Sequence, residues 1–286
     1  MKNKLSLAAL ALSLIALSAS HFPRAAVQEQ KSTPVVESTF DRVIRTNTLR
    51  CGYAVATPWF YIDPKTGEKK GYAHDVTEAV AKKMGVTIEW TEEVGWGTAE
   101  QGLPNRYDMM CGTVCVDPHR NRAAIYSTPF KHAPMLPIVR VDDHRFDSGV
   151  AAINDPSVRI GVKNNHVFEY IAKEKYPKAT LVYANDISDD TDFLLMLETN
   201  KIDVALSGKI TVDLYEKEHP GKIKALPFPA RFCDGAFMMP LGEFNMKQMI
   251  DNALLELNTA GVLDDIVTKY MPLDPLYVRL PAKPYR

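Results

Sequence analysis

Residues 71–90 read GYAHDVTEAVAKKMGVTIEW. Val76, Ala79, Val80 and Met84 recur at helical spacing and share one face, so the first half reads as an amphipathic helix. Asp75 with Glu78 three residues on has the form of a capping box, and Gly85 supplies the stop. VTIEW then alternates apolar and polar residues, the mark of a half-buried strand. Upstream, FDRVIRTNTLRCGYAV gives a short helix, a turn at Asn47 and a buried strand from Leu49 to about Val55, and DPKTGEKKG gives a turn-rich tip. Downstream, TAEQGLPNRYDMMCG gives a short helix, a turn and an apolar strand ending at Gly112. Strand, helix, strand in this order predicts an α/β lobe with a mainly parallel sheet.

The order repeats from about Ser157. SVRIGV is a strand, HVFEYIAKEKY a helix, ATLVYA a strand, DDTDFLLMLETN a helix capped by Asp190 or Thr191, and KIDVALSG a strand. No residue-level repeat stands out, only a duplicated architecture. GAFMMPLG, two helices divided by Gly261 and an extended LYVRLPAKPYR complete the chain. Two lobes joined by short crossings leave a cleft, a preferred place for a small ligand.

The amino end, MKNKLSLAALALSLIALSAS, has two lysines, an apolar run to about Leu17 and small residues, the layout of a secretory signal peptide. Ser18-Ala19-Ser20 fits a cleavage site, with Ala26 as the alternative end, and 21–38 reads as a flexible leader. Export bears on the four cysteines, since disulfides persist outside the cytosol, yet three full pairings are possible and the sequence does not choose among them. A formal net charge of −1 without a basic run argues against nucleic acid as a partner.

Several motifs, in order, resemble extracellular solute-binding proteins of the polar amino-acid type, family 3, which feed ABC importers. They are the helix and strand of 71–90, the stretch YDMMCGTVCVDPHRNRAAIYSTPF, then IGVKNN, NKIDVALSG and LNTAGVLDDIVTKYM. The resemblance implies a type II periplasmic-binding-protein fold of two α/β lobes, 39–134 with 235–286 and 135–234. It places two hinge crossings near Phe130–Pro134 and Ala230–Asp234. It implies a periplasmic monomer without cofactor or metal, and a membrane permease as partner for the captured carboxylate-bearing solute. Carried over by position, Arg120 grips the ligand carboxylate, a task suited to a planar, permanently charged fork. Thr113 and Cys115 complete that cradle, and Trp96 stacks on the ligand. Asn165 and His166 open a second-lobe helix whose free backbone N–H groups favour an anion.

The departures bear on the solute. Gly208 stands where the family places an acid for the ligand's α-ammonium, and Asp117 is the nearest substitute in sequence. Trp59, between the first strand and the hairpin tip, is a candidate wall of the cleft. Cys115, Asp117, His119 and Cys111 do not have usual zinc spacing, and Pro118 splays them. A Cys111–Cys115 disulfide fails on reach, because strand residues four apart lie about 13 Å apart. The expectation is that Cys111 is a small core residue and Cys115 lines the cleft. The competing reading is a lyase resembling cyclohexadienyl dehydratase, with His166, Asp117 or Cys115 as acid or base; a sensory receptor would share the same pocket.

Overall fold

The computed structural model describes residues 37–283 apart from 186 and 188. The signal peptide and nearly all of the leader fall outside this range. The first part of the chain contributes α1 (Thr39–Thr46), β1 (Thr48–Tyr53), a hairpin of β2 (Tyr61–Ile62) and β3 (Lys69–Lys70), α2 (Tyr72–Met84), β4 (Thr87–Glu93) and β5 (Met109–Cys115). After a 3-10 turn at Arg120–Arg122 come β6 (Ala124–Tyr126) and β7 (Lys131–Arg140). The middle holds β8 (Arg159–Val162), α3 (Val167–Lys175), β9 (Thr180–Tyr183), α4 (Asp190–Glu198), β10 (Ala205–Ser207), α5 (Lys209–Glu218) and β11 (Ile223–Ala225). β12 (Arg231–Pro240), α6 (Phe244–Thr259) and α7 (Val262–Thr268) follow.

β1 pairs in parallel with β4 and β5, and β8 with β9. The two long strands β7 and β12 run antiparallel, with Lys131 opposite Gly235 and Ala133 opposite Cys233. They are the crossings: β12 also pairs with β5 and β6, while β7 carries β10 and β11. Apolar side chains gather on both sides of them. One cluster joins Val43, Leu49, Val76, Val80, Phe237, Ile250 and Leu263; the other joins Ile138, Ile160, Phe168, Phe193, Leu197 and Tyr215. This is the two-lobed α/β fold expected.

Three local readings are corrected. α2 begins at Tyr72 with Gly71 as its cap, not at a capping box on Asp75. Gly71 has φ of 124°, and a Cβ there would fall 2.5 Å from the Trp59 carbonyl oxygen, so the loop from Trp59 fixes the start. Asp75 is left one turn inside, where its carboxylate accepts from the Tyr270 hydroxyl at 2.9 Å. α4 is capped by Asp189, whose side chain accepts from the Thr191 N–H at 3.0 Å, so neither Asp190 nor Thr191 is the cap. β5 runs on to Cys115, because β12 pairs with it that far.

The cysteines are paired rather than free. Cys51 bonds Cys111 with Cα atoms 5.4 Å apart, and Cys115 bonds Cys233 with Cα atoms 5.0 Å apart. Neighbouring strands make both pairs: β1 lies beside β5, and β5 beside β12. Their spacings of 60 and 118 residues hide this from the sequence.

The duplication also reaches individual residues, contrary to expectation. Asp108 accepts from the Arg50 N–H at 2.7 Å and from its guanidinium at 2.8 Å; Asp203 accepts from the Arg159 N–H at 2.9 Å and from its guanidinium at 2.8 Å. Each arginine sits two residues before a glycine, Gly52 or Gly161, that lies against an aromatic ring, Tyr107 or Phe193. The recurring unit is Arg-x-Gly on the first strand of a lobe and a clasping Asp ahead of another.

Candidate functional site

A cavity of about 70 Å³ lies where the crossings meet both lobes. Trp59, Trp96, Thr113, Cys115, Asp117, Arg120, His166 and Gly208 all line it. Of the residues expected there, Asn165 alone is not in the lining.

Arg120 is buried on its 3-10 turn behind β5. Its Nε lies 3.1 Å from Glu100 Oε1, and one Nη donates to the Trp96 carbonyl at 2.9 Å and to the Asn165 carbonyl. The other nitrogen, Nη1, is buried with no protein acceptor among the described residues. Nε and Nη2 are thus spent on holding the fork still, and Nη1 is left for something else. Asn165 therefore contributes its carbonyl across the cleft instead of a free N–H. Its own N–H donates to Glu169 at 2.7 Å, and that of His166 to the Lys163 carbonyl at 3.4 Å. The expected anion nest at this turn is closed by its own chain.

His166 caps α3, accepting from the Phe168 N–H at 3.4 Å, and its ring packs 5.2 Å from that of Trp96. Burial, with Lys163 and Arg120 nearby, lowers its pKa well below the usual range, so the imidazole is neutral. Asp117 is also spoken for. It accepts from the His119 N–H at 2.9 Å, lies 2.8 Å from the His119 ring and 3.5 Å from Arg231, and so braces the loop that carries Arg120. Gly208 begins α5, and a Cβ built on it meets nothing within 4 Å. The space that an acid would fill is open.

Sequence reasoning missed two charged residues here. Lys131, on β7, lines the cavity with Nζ 3.7 Å from the centroid of the Trp59 ring. Asp190, freed from capping by Asp189, also lines it and accepts from Lys163 Nζ at 3.0 Å. Burial raises the Asp190 pKa, and Lys163 opposes that shift. Lys131 had a faint signal: a lysine directly after STPF, in the crossing itself. Asp190 had none, because a helix-start Asp reads as a cap.

Hydrogen bonds also close the cleft. The Thr57 hydroxyl donates to Asp189 at 2.9 Å, and the Thr211 hydroxyl donates to the Thr57 carbonyl at 3.2 Å. With Arg120 and Asn165 they join the first lobe to the second. The disulfides leave Cys115 without a thiol to ionise, which removes it as a nucleophile, acid or metal ligand. The arrangement can hold an anion and shield it from water.

Known proteins show the family. The chain is 22% identical over 213 residues to the L-cystine-binding protein TcyJ of Bacillus subtilis, covering 73% of this chain and 78% of that one. It is 22% identical over 254 residues to the cyclohexadienyl dehydratase of Pseudomonas aeruginosa, covering 88% and 90%. Among solved structures, the ancestral amino acid-binding protein AncCDT-1, a precursor of cyclohexadienyl dehydratase, superposes with a TM-score of 0.72 at 21% identity, covering 82% of this chain and 100% of that one. The family description that matches residues 49–272 spans both lobes and every cavity residue named above, and by it this chain belongs to the bacterial extracellular solute-binding proteins, family 3.

Proposed function

We propose that the protein is a periplasmic receptor that captures a small carboxylate-bearing solute, an amino acid or a close analogue, by lobe closure. It then delivers the solute to the membrane permease of an ABC importer. The moving bodies are 39–134 with 235–286 and 135–234, turning about the crossings near 130–134 and 230–234. One observation carries the reading: a buried, braced guanidinium lines the cavity, and its Nη1 meets no acceptor among the described residues. A carboxylate oxygen is a charged acceptor suited to that nitrogen. The named relatives that bind amino acids support the class of solute.

Arg120→Ala removes the charge but keeps both lobes, so it should cost about 2–5 kcal/mol of binding measured by titration calorimetry. Arg122, on the exposed side of the same turn, is the control and should change affinity little. Wild-type affinity in Arg120→Ala would take Arg120 out of the site. A second reading, a dehydratase, is supported by the relative that bears that name. It predicts turnover of a cyclohexadienyl acid by the purified protein, whereas a receptor releases its ligand unchanged, a difference read directly by proton NMR.

A further inference from the structure

The charged side chains around the cavity meet opposite charges, with one exception. Arg120 meets Glu100, Asp117 meets Arg231, and Asp190 meets Lys163. Lys131 is 3% exposed, and among the described residues no carboxylate lies within ion-pair distance of its ammonium. Its neighbours are the Trp59 ring and, at 4.0 Å, the Cys233 sulfur of the disulfide. The stem reaches this place by lying over Gly235, where a Cβ would fall 2.5 Å from Lys131 Cε. The two acids that act on it are committed elsewhere: Asp190 to Lys163 at 3.0 Å, and Asp234 to His132 at 2.7 Å. Leaving an ammonium buried without a counterion is unfavourable, and the fold nonetheless makes room for this one at the cavity wall.

Lys131 and Arg120 have different partners among the described residues. Arg120 is held among Trp96, Glu100 and Asn165; Lys131 lies among Trp59, Cys233 and Gly235. They mark two separate places on one wall-to-wall cavity, each able to receive an anion. The inference rests on the carboxylate reading of Arg120 and narrows it. We propose that Lys131 receives a second anionic group of the solute, so that the cavity takes a short dicarboxylate held by Arg120 through one group and Lys131 through the other.

Burial brings the Lys131 amine down to about 7, with Asp190 and Asp234 acting in the opposite sense. A dianion binds the protonated form, so above pH 7 the protein must take up a proton as it binds. Apparent affinity should then fall by up to about tenfold per pH unit. His166 is neutral throughout and does not add to this dependence.

The experiment is titration calorimetry on the whole mature protein with matched pairs: succinate and butyrate, glutarate and valerate, glutamate and glutamine. At pH 6.5 at least one dicarboxylate should bind at least tenfold tighter than its monocarboxylate partner. At pH 8 its binding enthalpy should vary with the ionisation enthalpy of the buffer, reporting uptake of up to one proton. In Lys131→Met the ratio within each pair should collapse toward one and the buffer dependence should vanish. Equal affinity within every pair, persistence of both effects in Lys131→Met, or no binding of any of the six at millimolar concentration overturns the assignment. Should Lys131→Met not fold, the wild-type ratio and proton uptake decide alone. Arg120→Ala separates the two levels: if it loses binding while dianion and monoanion are equal, only the Lys131 assignment falls. If it binds like wild type, the carboxylate reading falls and this one with it.

Discussion

Gly208 shows how much one missing side chain decides. It opens α5 at the cavity, with room beside it, where an acid would compensate an ammonium. Asp117, the substitute acid proposed from the sequence, is engaged by His119 and Arg231, so the other acid lining the cavity is Asp190, itself paired with Lys163. Burying an ammonium here without a dedicated partner costs several kcal/mol. A deaminated or N-substituted acid should therefore compete at least as well as its parent amino acid in a displacement assay. A hundredfold preference for the free amine, about 2.7 kcal/mol, would show that an acid does receive it. Asp190→Asn would then abolish that preference if Asp190 is that acid. Arg120 and Trp96 were legible at this scale because a motif surrounds each. Lys131 was not, because its burial comes from β12, about a hundred residues away in sequence.

Among the elements, periodicity found α2, α3, α4 and α6, whose apolar positions repeat at helical spacing. It passed over α5, where KITVDLYEKE opens with β-branched residues and Gly208 gives no side-chain cap. The disulfides were illegible for a related reason: each joins neighbouring strands whose adjacency exists only in the folded sheet. Their contribution is open to measurement. Cys115 and Cys233 close a loop of 118 residues, so replacing both with Ser should lower unfolding stability by about 4–5 kcal/mol on the chain-entropy account. Urea unfolding of the pair variant tests this, and a midpoint equal to wild type would remove the bond from the list of stabilising features.

Across the whole molecule, each lobe is held by its own arginine–aspartate clasp, and the second is the more elaborate. Asp203 accepts from Arg159 on β8, Arg140 at the end of β7 and Arg145 on the turn between them. Burial alone would raise its pKa, but the bonds from these arginines outweigh that and hold it well below the ordinary carboxylate range. A depressed carboxylate stabilises the fold above its unfolded pKa of about 3.9, and the contribution fades as pH falls toward the folded value. Asp203→Asn should therefore lower the melting temperature at pH 7. The gap between variant and wild type should narrow steadily below about pH 4. A gap that stays constant down to pH 2 would mean that the clasp acts through packing rather than charge.

Gly235 lies on the second crossing, and the space left by its absent side chain is the channel through which Lys131 reaches the cavity. A single methyl at position 235 would meet the lysine stem and force it off its present path, changing the cavity wall without replacing any residue that lines it. The two positions are thus one steric unit: a side chain at 235 and the present path of the Lys131 stem exclude each other.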